Sequence, residues 1–469
     1  MALSTAGPPP VALPGPAIPE RTGPICQLWA SPGVSSDRQR GHDNAWQVLV
    51  HSVAGDSFLK EPQVVTLVQR RVKRLLDRSP TLGLIRSHIH PEFHHDDDDT
   101  SRVVHVIAKI MSLLRDRPRM HMAVLISELL SQNVCGGTAT ESNDPATIEG
   151  IKKLIFVSFG WATSLYLPDT SRLDQPFAIV SEGSSCFEKL RADPDADHVP
   201  IVGVIRELGD ILPTRMSWDD PGSSKWSTQS DGDVLNVASL NFATLTKVGK
   251  VRIDWVESLS AHLDFDTANL DPVSGTITPT LKLFRYPSLC YQHSSSSSLM
   301  DRVLQDWYDA GSAPPKFTVN RLMQEILLSY SLLVLFDRRA RRTFVDSTRG
   351  MSSEPDYDEE LDRLCIGSNR RQMRRDFWFE PEGLRETFQA NSDFPIFSAR
   401  LCKIQRFVDS IQPNRIQSLW RDRRDILRWY TFWAVFVLGS INFAVSILQT
   451  ALSAEQVRLA RAQLGVQAC

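Results

Sequence analysis

Trp429-Tyr-Thr-Phe-Trp-Ala-Val-Phe-Val-Leu-Gly-Ser-Ile-Asn-Phe-Ala-Val-Ser-Ile-Leu-Gln-Thr-Ala-Leu452 runs for 24 residues without a charged side chain. A helix of that length, rising 1.5 Å per residue, reaches roughly 36 Å, enough to cross a hydrocarbon core of about 30 Å with some tilt. Trp429, Tyr430 and Trp433 cluster at one end, where amphipathic rings prefer the headgroup level. The stretch predicts one C-terminal transmembrane helix, with the lipid bilayer as partner to Trp429–Leu452. A buried core helix is the competing reading, disfavoured because core helices seldom run this long without a charged face.

The flanks predict orientation. Arg415, Arg421, Arg423, Arg424 and Arg428 precede the span, against Arg458 and Arg461 after it. Asp422 and Asp425 sit among the first group, but acidic residues count for little in the positive-inside rule. The N-terminal bulk is therefore expected in the cytosol. Only 17 residues follow Leu452, so the expected form is a single-pass, tail-anchored protein; the choice of membrane is not encoded. Ser440 and Ala444 have small-xxx-small spacing, and Asn442 and Gln449 are polar within the span. Such groups can pair helices, although a lone anchor also tolerates them.

The rest of the chain has ordinary globular composition, with 42% hydrophobic and 23% charged residues and a net charge of −3. A nucleic-acid binder normally carries a strong basic excess, so no nucleic acid is expected. The seven cysteines are widely spaced and include no C-x-x-C pair, a pattern of free thiols in a reducing compartment. No Asn meets the N-x-[ST] pattern; Asn391-Ser-Asp places Ser one position early. The N-terminus lacks the basic and continuous apolar regions of a signal peptide.

Composition shifts divide the chain into a disordered Pro-rich segment (1–40), a helical domain (41–212), a Ser/Asp/Gly/Pro linker (213–233), a helix-plus-hairpin unit (234–292), a helical region (293–428), the span (429–452) and a tail (453–469). Within 41–212, Gln63–Leu76 forms an amphipathic helix, with Val64, Val65, Leu67, Val68, Val72, Leu75 and Leu76 inward and Arg70, Arg71, Lys73 and Arg74 outward. Helices are also expected at Arg102–Arg115 and Met120–Gln132. The apolar runs in Ile151–Leu167 and Ile326–Phe336 are too short to span and read as buried, the first as helix with strand as competitor. In 234–292 the pattern gives a helix from Leu235 to Val248 and a strand at Lys250–Ile253. A helix bearing Val256, Leu259 and Leu263 follows, then strands near Leu263–Asp266 and Leu281–Phe284. That order resembles a winged helix. The fold class is thus mainly α with a small winged-helix-like α+β unit. Residues 234–288 carry five basic and five acidic side chains, which disfavours DNA as the ligand.

Chemistry-bearing patterns are few. His88, His90, His94 and His95 beside Asp96–Asp99 are the weak candidates for a metal, since imidazoles suit zinc and carboxylates suit magnesium or calcium. Pro91 splits the histidine pairs and the adjacent aspartates repel one another, so a solvated acidic loop is the plainer reading and no metal or cofactor is assigned. Asp193-Pro-Asp-Ala-Asp197 opens like a calcium loop but has His198 and Val204 where Gly and Glu are needed. Phosphate-loop, dinucleotide, zinc-protease and hydrolase-elbow motifs are missing, so no catalytic or cofactor-binding residue is assigned.

Phe159-Gly-Trp-Ala-Thr-Ser-Leu-Tyr-Leu-Pro168, Gly249-Lys-Val-Arg-Ile-Asp-Trp with His262-Leu-Asp-Phe-Asp and Leu283-Phe-Arg-Tyr-Pro-Ser, and above all Leu419-Trp-Arg-Asp-Arg-Arg-Asp with Trp429-Tyr-Thr-Phe-Trp-Ala-Val resemble an uncharacterised group of filamentous-fungal proteins ending in one transmembrane helix. The resemblance covers about residues 100–455 and implies the anchor but no reaction. Accessory membrane proteins of fungal gene clusters share this form. The resulting expectation is a membrane-tethered cytosolic module acting by interaction. The alternatives are an enzyme whose site, with or without a metal, is assembled from distant residues and, third, a membrane-held nucleic-acid binder.

Overall fold

The structure, a computed structural model, describes residues 46–53, 62–78, 99–132, 134, 144–171, 175–180, 191–209, 234–267, 278–294, 298–304, 318–366, 385–411 and 426–467. The Pro-rich segment, the 213–233 linker and the four candidate histidines lie outside those residues.

The described residues are mainly helical, with two small sheets among them. Their buried apolar side chains form one connected core reaching from Trp46 to Val408. The helix Pro145–Thr163 runs through it, and Gly150 to Trp161 are buried on every face. This is the short apolar run at 151–167, and it is a helix. Its two buried lysines do not face hydrocarbon unaided; Lys152 Nζ lies 2.8 Å from Glu149, 2.7 Å from Asp197 and 2.9 Å from the Pro194 carbonyl.

The helix stops because Ser164 turns left-handed (φ 56°), its N–H bonding to the Gly160 carbonyl. The chain then folds back, so that Tyr166 stacks on Phe156 at 4.6 Å and donates to the Phe156 carbonyl at 2.8 Å. Asp99–Asp116 and Met122–Ser131 cover this helix with Ile107, Met111, Leu114, Leu125 and Leu129. Each fully buried side chain of that size contributes about 1.5–3 kcal/mol of transfer free energy.

The second apolar run is also core. Val319–Tyr330 continues into a wide π turn, Ser331–Leu335, and the chain then bends by 105° into Arg338–Thr348. Ile326, Leu332, Leu333 and Val334 are buried. Asp337 makes the bend by capping Arg339 N and Ala340 N. Ala340, Phe344 and Thr348 then face inward, with Phe344 edge-on to Phe242 and Trp255.

Strands β1 (Val234–Asn236), β2 (Arg252–Val256), β3 (Phe265–Asp266), β4 (Thr280–Phe284) and β5 (Thr387–Gln389) build the two sheets. β1 pairs antiparallel with β5; β4 lies between β2, parallel to it, and antiparallel β3. Three local expectations change. Leu235–Val248 is β1 followed by two short helices, Val237–Leu240 and Phe242–Lys247, because Asn236 and then Asn241 each cap a new start. The expected helix at 256–263 is a turn. Leu259 N and Ser260 N bond to the Ser164 and Leu165 carbonyls, and Leu263 is left-handed (φ 59°). Those tertiary bonds consume donors a helix would need. Finally, Arg71 and Arg74 in the Pro62–Arg78 helix turn inward.

Gly160 shows how closely the core is fitted. A Cβ there would meet Tyr166 Cε2 at 2.7 Å and Pro168 Cδ at 3.1 Å. Gly160→Ala is expected to destabilise the protein by about 1–3 kcal/mol through overpacking, read as a lower denaturant midpoint. An unchanged midpoint would show that the 164–168 fold-back can move at little cost.

Candidate functional site

The C-terminal helix Ile426–Gln467 is continuous for 42 residues and contains the uncharged stretch. None of its apolar window is buried against the rest of the molecule; Val435, Phe436, Leu438, Ile441, Phe443 and Leu448 are all exposed. It is the described helix that is long and apolar enough to cross a membrane by itself. Helical backbone satisfies its own polar groups, which a bilayer requires. The hydroxyls follow suit, since Ser440, Ser446 and Thr450 donate to carbonyls four residues back at 2.8, 2.9 and 2.8 Å. The eleven Leu, Ile, Phe and Val side chains between Tyr430 and Leu452 favour insertion by roughly 3–7 kcal/mol on an insertion scale. This helix is the feature with a function legible in its geometry.

Three polar clusters lie among the described residues of the body. The largest surrounds Tyr286. Arg71, Arg74 and Arg285 stand 5.4, 6.0 and 5.2 Å from its ring centroid. Arg74 reaches Glu257 at 2.6 Å and Asp356 at 2.7 Å, and Arg285 reaches Glu354 at 2.5 Å. The Tyr286 hydroxyl accepts from Arg74 and donates to Asp356 at 2.6 Å. Arg71 donates to the Trp161 carbonyl at 2.6 Å. Burial raises the phenol's pKa, so Tyr286 remains a neutral donor. The cluster ties the Pro62–Arg78 helix to the end of β4 and to the 354–358 loop. Next to it Asp358 takes the backbone N–H and hydroxyl of Ser288.

The second cluster places a histidine beside a serine. His262 Nε2 is 2.8 Å from Ser329 Oγ, while Nδ1 accepts the Phe284 N–H at 3.1 Å. Nδ1 must therefore be bare, and Nε2 carries the proton and donates to Ser329. The serine hydroxyl donates in turn to the Ile326 carbonyl at 2.6 Å. A general base would need the opposite polarity, with a bare Nε2 facing the hydroxyl. Both side chains are buried, and the pair braces β4 against the Val319–Tyr330 helix.

The third is Glu325, buried, accepting Ile396 N at 2.9 Å and Phe397 N at 3.0 Å where the Ser398–Ser410 helix begins. Burial pushes its pKa up to about 7, against the pull of those donors and Arg321. A buried pair, Lys282 with Asp264 at 3.1 Å, links β4 to the residue preceding β3. Of the rejected calcium-like loop, Asp197 pairs with Lys152 and Asp193 caps Asp195 N at 2.9 Å. Among the described residues no three His, Cys, Asp or Glu side chains converge as a metal site would need. Cys290 and Cys365 are buried, and burial raises both thiols, which keeps them protonated and unreactive.

These clusters give the protein a signed pH dependence. Burial pushes His262 and His293 down to about 3, with Arg400 and Arg71 adding to the effect. Between pH 6.5 and about 3 the unfolded chain binds protons that the folded one refuses, so stability falls as pH falls. Glu325 acts oppositely: its contribution is full below 4.5 and is lost as pH rises through about 7. Glu325→Gln should therefore steepen the loss of stability between pH 7 and 5, and His262→Asn should flatten it, as read from denaturant midpoints. A shift in the opposite direction in either variant would contradict these environments.

No protein family, curated protein or solved structure matches the chain.

Proposed function

We propose that the chain is a membrane-tethered module whose folded body, the described residues before the C-terminal helix, works at the cytosolic face by interaction rather than by catalysis. The observation that carries this reading is the Ile426–Gln467 helix, apolar across a bilayer's thickness and uncovered by the body. The orientation rests on the arginine excess before the span and on the buried free cysteines Cys290 and Cys365, which suit a reducing compartment. The interaction role is supported by the wiring of the polar clusters, whose charged and hydroxyl groups hold chain segments together.

Removing residues 429–469 should move the protein to the soluble fraction, while the full chain stays pelleted after carbonate extraction. Protease added to sealed microsomes should digest the body and spare the tail. A truncated chain that still resists carbonate would disprove the tether. Protection of the body would reverse the orientation.

A further inference from the structure

Along the exposed C-terminal helix two sets of residues recur at intervals of seven. Gly439, Ser446, Ser453 and Ala460 form one set; Asn442, Gln449 and Gln456, three places on, form the other. Spacings of three and four alternate, so small residues and amides share one face of the helix. All seven are exposed, and a Cβ at Gly439 would meet nothing within 4 Å. Ser446 turns its hydroxyl back to the Asn442 carbonyl, but an amide has more donors and acceptors than its own helix can serve. Past the uncharged stretch the same face persists. Gln456 is flanked by exposed Val457 and Leu459, while Glu455, Arg458 and Arg461 fall on the opposite side.

We infer that this face is a seam against a second copy of the chain, forming a parallel pair of helices. The inference rests on the tether proposed above, because copies inserted by the same rule share one direction and bring equal positions to equal depth. An amide is both donor and acceptor, so Asn442 and Gln449 each match themselves across a two-fold axis. Lipid offers such groups nothing in the hydrocarbon, whereas the small residues between them let two backbones approach. A strict seven-residue step drifts about 20° per heptad on a straight helix, so the pair crosses with a left-handed supercoil. The charged face at 455–461 points away from the seam and leaves it uncharged.

The test uses the full chain with Cys469→Ser in liposomes at high lipid-to-protein ratio. Gln456→Cys, on the seam, should form a disulfide-linked dimer under mild oxidation, and Arg458→Cys, on the opposite face, should not. In micelles, energy transfer between labelled copies should show the dimer dissociation constant rising about tenfold in the Asn442→Ala/Gln449→Ala variant, the loss of two interhelical amide contacts. Equal cross-linking at both sites, an unchanged constant or a chain monomeric throughout would overturn the seam, as would capture of the face by a different membrane protein. Carbonate extraction separates the two readings. A monomer retained in the pellet sinks the pairing alone, and loss from the pellet sinks the tether and the pairing with it.

Discussion

A long apolar run in a helix has to be covered by something other than water, and two of the described helices show the alternatives. Pro145–Thr163 has about a dozen buried positions in succession and is covered by protein. Ile426–Gln467 carries a longer uncharged stretch, and among the described residues nothing covers that apolar window. Length separates their fates. The first is too short for a hydrocarbon core of about 30 Å, and the second is long enough. The first organises the body, since the neighbouring helices and the fold-back at 164–168 exist to enclose it. The second leaves lipid as the cover available to a stable molecule.

Enclosing an apolar centre brings polar groups inside, and the body's stability depends on how they are held. Unpaired, a buried guanidinium or carboxylate would cost several kcal/mol. Arg74 is matched to Glu257 and Asp356, Lys282 to Asp264, and Glu325 to two backbone N–H groups and Arg321. His262 is kept neutral with both ring nitrogens used. Most of these arrangements join segments far apart in the chain, and in this way the polar groups help fix the tertiary structure.

What could be read from the sequence was whatever depends on local composition. The anchor, the helical nature of 151–163, the burial of 326–336 and the mainly α class follow from apolar runs and their lengths. What could not be read depends on distant partners. Arg71 and Arg74 looked like a solvated face because nothing nearby in sequence reveals Trp161, 90 residues away from Arg71, or Tyr286, 212 residues away from Arg74. The 256–263 segment has helical spacing of Val256, Leu259 and Leu263, but its donors are taken by Ser164 and Leu165. His262 and Ser329, 67 residues apart, meet only in the fold, and the polarity of their hydrogen bond follows from the Phe284 N–H. The histidine cluster at 88–95 falls outside the described residues, and its reading stands on sequence alone.

The central claim, that lipid covers the uncovered helix, can be tested within that one helix. Residues 430–452 and 453–467 share the same backbone conformation, so they differ in amide hydrogen exchange only through their surroundings. In lipid nanodiscs carrying the full chain, 430–452 should resist exchange for hours while 453–461, with Glu455, Arg458 and Arg461 in water, exchanges far sooner. Uniform exchange along 430–461 would mean that no boundary between hydrocarbon and water crosses the helix, and the anchor would fall.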